Sequence, residues 1–145
     1  MSDPTLPSFR YRLEQQPSRM GSGGLVRAAS VRQFPVSQGI AGASMRLQPG
    51  SLRELHWHTT AAELGYVVSG SCRTTVLSPD GAATDTFGPG DVWYFPGGWG
   101  RSIQGTGPCL VFPPRLGSFH PGDWVKRVPL HSDFRQRRFL RGSYT

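Results

Sequence analysis

The sequence predicts an all-β chain, an antiparallel sandwich or small barrel of jelly-roll type, and three observations predict it. Gly and Pro are frequent, 19 and 13 of 145 residues, and they are scattered as turn punctuation. Between them run short segments rich in β-branched and aromatic residues, eight or nine at near-regular spacing. No stretch between residues 20 and 112 carries the apolar period of a helix. Two facing sheets are a simple way to manage the edges of that many short strands.

The elements follow in order. Residues 1–20 have the composition of an entry arm. "LVRAASVRQF" (25–34) is expected as a strand between the turn chemistry of "MGSGG" and "PVSQG". "AGASMRLQPG", "SLRELHWH", "LGYVVSG" and "SCRTTVLSPDG" follow, then "TDTFGPG", "DVWYFPGG", "RSIQGTGP" and "CLVFPP". In "SPDG" (78–81), Pro fixes φ and Gly accepts positive φ, which predicts a hairpin turn. Beyond Pro113–Pro114 the alternation is lost, and a short helix is expected around 122–134, limited by Pro129. The organisation expected is an arm at 1–20, one barrel at 21–125 and a basic tail at 126–145.

Composition narrows the function classes. The net charge is +7, but residues 1–111 carry nine Arg against seven acids, whereas residues 112–145 carry seven Lys+Arg against two Asp. The basic excess is therefore terminal, and it is read as a solvated end and not as a nucleic-acid surface. No apolar run is long enough to cross a bilayer as a helix. The first residues show no apolar core behind a basic end, so a cytoplasmic chain is expected. Cys72 and Cys109 match no zinc spacing and are expected to pack as small hydrophobes.

Chemistry concentrates at "RELHWHTTAAELGYVVSG", Arg53 to Gly70. On a strand, residues i and i+2 share a face, so His56 and His58 project together and Trp57 points away. The next strand can return Glu63 to the same interior. Two imidazoles and a carboxylate suit a first-row divalent metal with open positions. The alternative is a set of surface polar residues beside a turn. Trp57, Tyr66, Trp93, Tyr94 and Phe95 are expected as core and barrel-wall residues.

Gly50, His56, His58, Glu63 and Gly70 resemble the first motif of the cupin superfamily, and "GDVWYFPGGWGRSIQ" (90–104), with Gly90, Pro96 and Gly98, resembles the second. "RELHWH", "GDVWYFPGG" and "SIQG" are similar to the two-domain oxalate decarboxylases, over roughly residues 8–112. The resemblance implies a cupin jelly-roll barrel, with His56, His58 and Glu63 holding Mn(II), or alternatively Fe or Zn, and Arg53 clamping an oxalate carboxylate. Arg53 is otherwise a strand-edge partner of Glu54.

Three departures bear on activity. Where the family has its fourth ligand, a histidine, this chain has Arg101. Arginine offers a metal no lone pair. Its head either leaves for water or turns inward and pairs with Glu63, and His120 or His131 is the alternative source of a ligand. The family's lid glutamate has no counterpart after the barrel, since Glu63 is the last Glu in the chain. The family enzymes have two barrels, so a single one is expected to form a homo-oligomer. Two readings stay open: a manganese-dependent, oxalate decarboxylase-like carbon–carbon lyase, impaired by the lost ligand, or a non-catalytic cupin, metal-free or nearly so, binding a small acid such as oxalate. A third possibility is a truncated pseudoenzyme.

Overall fold

The computed structural model describes residues 6–112, together with the strand backbones at 115–116 and 126–127. A 3-10 turn at Leu13–Gln15 precedes twelve strands: β1 (Arg19–Gly21), β2 (Gly24–Ala29), β3 (Ile40–Leu47), β4 (Leu52–Trp57), β5 (Ala62–Ser69), β6 (Cys72–Ser78), β7 (Gly81–Phe87), β8 (Val92–Phe95), β9 (Gly100–Gly105), β10 (Cys109–Phe112), β11 (Arg115–Leu116) and β12 (Lys126–Arg127). They form two sheets in which every pairing is antiparallel. One runs β1-β2-β3-β10-β5-β11, with β8 added on β5; the other runs β12-β4-β9-β6-β7. The all-β sandwich expected from the turn spacing is the architecture observed. The β6–β7 hairpin pairs Ser78 with Gly81 across Pro79–Asp80, as the "SPDG" chemistry requires.

Burial along the strands has a period of two. In β5 the alternation sends Glu63, Gly65 and Val67 inward and Leu64, Tyr66 and Val68 outward. In β8 Trp93 and Phe95 go in while Val92 and Tyr94 go out. Met45, Leu47, Val67, Cys72, Trp93, Phe95, Ile103, Cys109 and Val111 make one apolar cluster between the sheets. Both cysteines are free and buried, as expected of thiols packed as small hydrophobes. The arm is fastened on this frame by Glu14, which accepts from Arg46 Nη2 at 2.9 Å and from Arg27 Nη1 at 3.4 Å.

Three expectations are corrected. The strand expected over 25–34 ends at Ala29, because Ser30 and Gln33 close a turn. Ser30 N donates to Gln33 Oε1 at 3.1 Å, and Phe34 N donates to Ser30 O at 2.8 Å. In the helix expected around 122–134, Lys126 and Arg127 instead form a strand paired with Trp57 and His56; the rest of that segment lies outside the described residues. Tyr66 and Tyr94 are not core residues but stand exposed on the outer face, since strand alternation places them opposite Trp93 and Phe95.

Candidate functional site

His56 lies in β4, His58 one residue past its end, and Glu63 in β5 of the facing sheet. All three are buried, at 2–3% exposure. Each offers a ligand atom, and those atoms lie within 4.8 Å of one another, a grouping able to hold a metal ion. His56 Nδ1 lies 2.7 Å from the Glu54 carbonyl. A carbonyl only accepts, so Nδ1 carries the proton, and in the neutral ring Nε2 is the nitrogen with the lone pair. Among the described residues His58 Nε2 has no hydrogen-bond partner, and it sits 3.5 Å from Glu63 Oε2. The two rings meet edge to face, centroids 5.4 Å apart.

Arg101 completes the group. It pairs with His56 across β4 and β9, and it is the largest fully buried side chain among the described residues, at 0% exposure. Its Nε is 3.5 Å from Glu63 Oε2, the oxygen His58 also faces. Nη1 donates to the Trp99 carbonyl at 3.4 Å, and Cζ stands 5.6 Å from the Phe95 ring centroid, within cation–π range. Of the two directions open to Arg101 from sequence, the structure takes the inward one. Phe95 serves the site as well as the core, a role that sequence alternation alone did not reveal. His120 and His131 lie outside the described residues.

Arg53 reaches the same interior for a reason that strand periodicity hides. Residues three apart on a regular strand face opposite ways. Here β4 carries a bulge: Arg53 pairs with Ile103 and His56 with Arg101, so three steps on β4 match two on β9. Directly opposed residues share a face, and Ile103 and Arg101 both point inward. The extra residue therefore turns both Arg53 and His56 inward, and Leu55 and His56 are buried in succession. Arg53 is half-buried and lies one cross-strand pair, about 7 Å along the strand, from the Arg101 pair.

A cupin family profile matches residues 11–113, the whole of this barrel up to Pro113. The chain belongs to the cupin family. Oxalate decarboxylase OxdC of Bacillus subtilis is 38% identical over 134 residues, covering 86% of this cupin and 34% of the relative. A probable oxalate decarboxylase of Arthroderma benhamiae is 33% identical over the same span, covering 33% of its length. Among solved structures, that of the Bacillus subtilis oxalate decarboxylase at pH 4.6 superposes with a TM-score of 0.79 at 32% identity, over 87% of the cupin and 33% of the other chain. A second structure of that enzyme, with its Mn(II) centres under study, gives the same TM-score at 31% identity. The cupin thus spans about a third of the length of these relatives.

Whether a divalent ion fits these residues depends on two opposed features. The His56 tautomer, the lack of a hydrogen-bond partner for His58 Nε2 among the described residues, and the ligand spacing favour one. The Arg101 guanidinium opposes it, because an ion about 5 Å from a unit charge meets a repulsion of about 6–7 kcal/mol at an effective dielectric of 20. Glu63 cannot neutralise both. With Arg101 turned inward, the residues do not fit the ion.

Proposed function

We propose that this cupin is a small-carboxylate-binding domain of the oxalate decarboxylase type that recognises its ligand without turning it over. The observation that carries this is the fully buried Arg101 beside Glu63, with Arg53 turned to the same interior by the bulge. Two guanidinium groups against one carboxylate leave the site a net positive charge when both imidazoles are neutral. A planar guanidinium meets a carboxylate through paired N–H donors, which is the geometry that selects an acid such as oxalate over a neutral molecule. Similarity to the oxalate decarboxylases supports the choice of ligand. Turnover needs a positioned proton donor. Among the described residues Glu63 is the one buried carboxylate, and it is engaged by Arg101 and His58.

Calorimetric titration with oxalate in the presence of a chelator tests this reading. Wild type is expected to bind, and Arg53→Ala to bind at least about tenfold more weakly, the loss of one charge-assisted contact. Formate and carbon dioxide release should stay at background even with added manganese. Measurable turnover, or equal binding by Arg53→Ala, overturns the proposal. The second reading, a manganese-dependent lyase using His56, His58 and Glu63, is favoured by the His56 tautomer and the 4.8 Å grouping. It requires the Arg101 head to leave the barrel.

The outer face of the first sheet carries Leu64, Tyr66, Val68, Val92, Tyr94 and Phe112, each 37–59% exposed. Register sets Leu64 beside Tyr94, and Tyr66 beside both Val92 and Phe112, so the patch is contiguous. An apolar patch of this kind marks an interaction surface, and we propose a second copy of the chain as its partner. Light scattering should give at least twice the 15.9 kDa chain mass at tens of micromolar, and Tyr94→Lys should lower it.

A further inference from the structure

We infer that the Arg101 guanidinium replaces the divalent ion as the cation of this barrel, so that the domain is metal-independent: it folds and keeps its polar interior without manganese and excludes the metal that its histidines and glutamate are spaced to hold. The inference goes beyond acid binding and does not depend on it.

Four observations converge. The guanidinium comes from the strand position directly opposite His56, and none of it reaches solvent. Its Nε and His58 Nε2 both stand 3.5 Å from the same Glu63 oxygen, so the carboxylate meant to offset an ion's charge already has a cation beside it. The head is retained from two further sides, by the Trp99 carbonyl and the Phe95 ring. Finally, arginine stays protonated at any pH the fold experiences, so the exclusion cannot be relieved by titration.

Charge counting gives the consequence. Glu63 and Arg101 sum to zero with neutral imidazoles, and a divalent ion raises the buried total to +2. Relative to a site with a neutral fourth residue, affinity is expected to fall on the order of 10⁴–10⁵-fold. A histidine at 101 would restore a fourth nitrogen ligand. A methionine would remove the charge while supplying only a weak thioether, leaving His56, His58 and Glu63 as a triad with open positions.

The experiment is metal analysis of the full chain, produced with manganese supplementation and without chelator, for wild type, Arg101→His and Arg101→Met. Thermal melts of each in manganese and in EDTA accompany it. Wild type is expected to hold negligible manganese and to melt at the same temperature in both solutions. Arg101→His should hold near-stoichiometric metal and melt higher with it. Arg101→Met should bind more weakly than Arg101→His yet far better than wild type, the sign that charge, not ligand count alone, keeps the ion out. Near-stoichiometric manganese in wild type overturns the inference. So does a folded Arg101→His and Arg101→Met pair in which neither takes up metal, since the triad is then no metal site. If Arg101→His does not fold, the wild-type content and melts with Arg101→Met carry the decision. No acid is present in these measurements, so their failure and failure of the oxalate titration are separately legible.

Discussion

Glu63→Gln is expected to destabilise the domain by about 3–5 kcal/mol, the cost of leaving a buried charge without its counter-charge. The substitution keeps the size of the side chain and removes only its charge. Arg101 then remains fully buried, and no other carboxylate among the described residues is buried to meet it. Among the described residues, the Phe95 face and the Trp99 carbonyl offer the guanidinium partial charges only. A domain of this size has about 5–15 kcal/mol of total stability, so the loss is a large fraction of it. In melting temperature it amounts to on the order of 10 °C. Denaturant titration of Glu63→Gln, Arg101→Met and the double variant checks the origin. The double variant should recover most of the loss, since a buried ion pair exchanged as a whole for neutral groups is often close to neutral in stability. Equal destabilisation in the single and double variants would mean that the pair is not what holds this end of the barrel.

Gly65→Ala should also be damaging, by about 1–3 kcal/mol, through overpacking. Gly65 faces Trp93 across β5 and β8, and the indole occupies the space a side chain at Gly65 would take. A Cβ built there would overlap Trp93 Cε2, Cζ2 and Nε1, so the ring must leave its place. That place is central: Trp93 is 4% exposed and meets Phe87 and Phe95 at ring-centroid distances of 5.6 and 5.9 Å. Displacing it disturbs Phe95, and through Phe95 the face on which the Arg101 guanidinium rests. Near-UV circular dichroism should report the loss of a fixed indole together with the fall in denaturation midpoint. Gly65→Ala combined with Trp93→Leu should regain part of the stability, because the smaller side chain leaves room for the methyl. No recovery would place the fault in the strand backbone and not in the ring.

Local chemistry made much of the fold legible. "SPDG" specified its hairpin, and β5 and β8 show the alternation that their apolar residues suggested. Where expectation and structure part, a specific contact outside the strand pattern decides. "LVRAASVRQF" has strand propensity throughout, yet Ser30 and Gln33 hydrogen-bond to each other and end β2 early. Tyr66 and Tyr94 look like core residues by size, and the phase set by Trp93, Phe95 and Val67 sends them outside. Lys126 and Arg127 carry no strand signal of their own and acquire one by pairing with β4.

That two histidines share a face and that Glu63 can return to meet them was legible from the chain alone, because strand periodicity and turn spacing are local properties. So was the inability of position 101 to ligate a metal, which follows from the chemistry of a guanidinium alone. Only the tertiary structure decided where that guanidinium goes. Besides the Trp99 carbonyl two residues before it, its direction depends on Glu63 and Phe95, paired neighbours on β5 and β8 of the other sheet, which it meets only when the sheets face each other. The inward turn of Arg53 was likewise decided by β9, whose register forces one extra residue into β4. A bulge is a property of a strand pair, and a buried ion pair is a property of a closed barrel. Neither exists in the chain until the two sheets have packed.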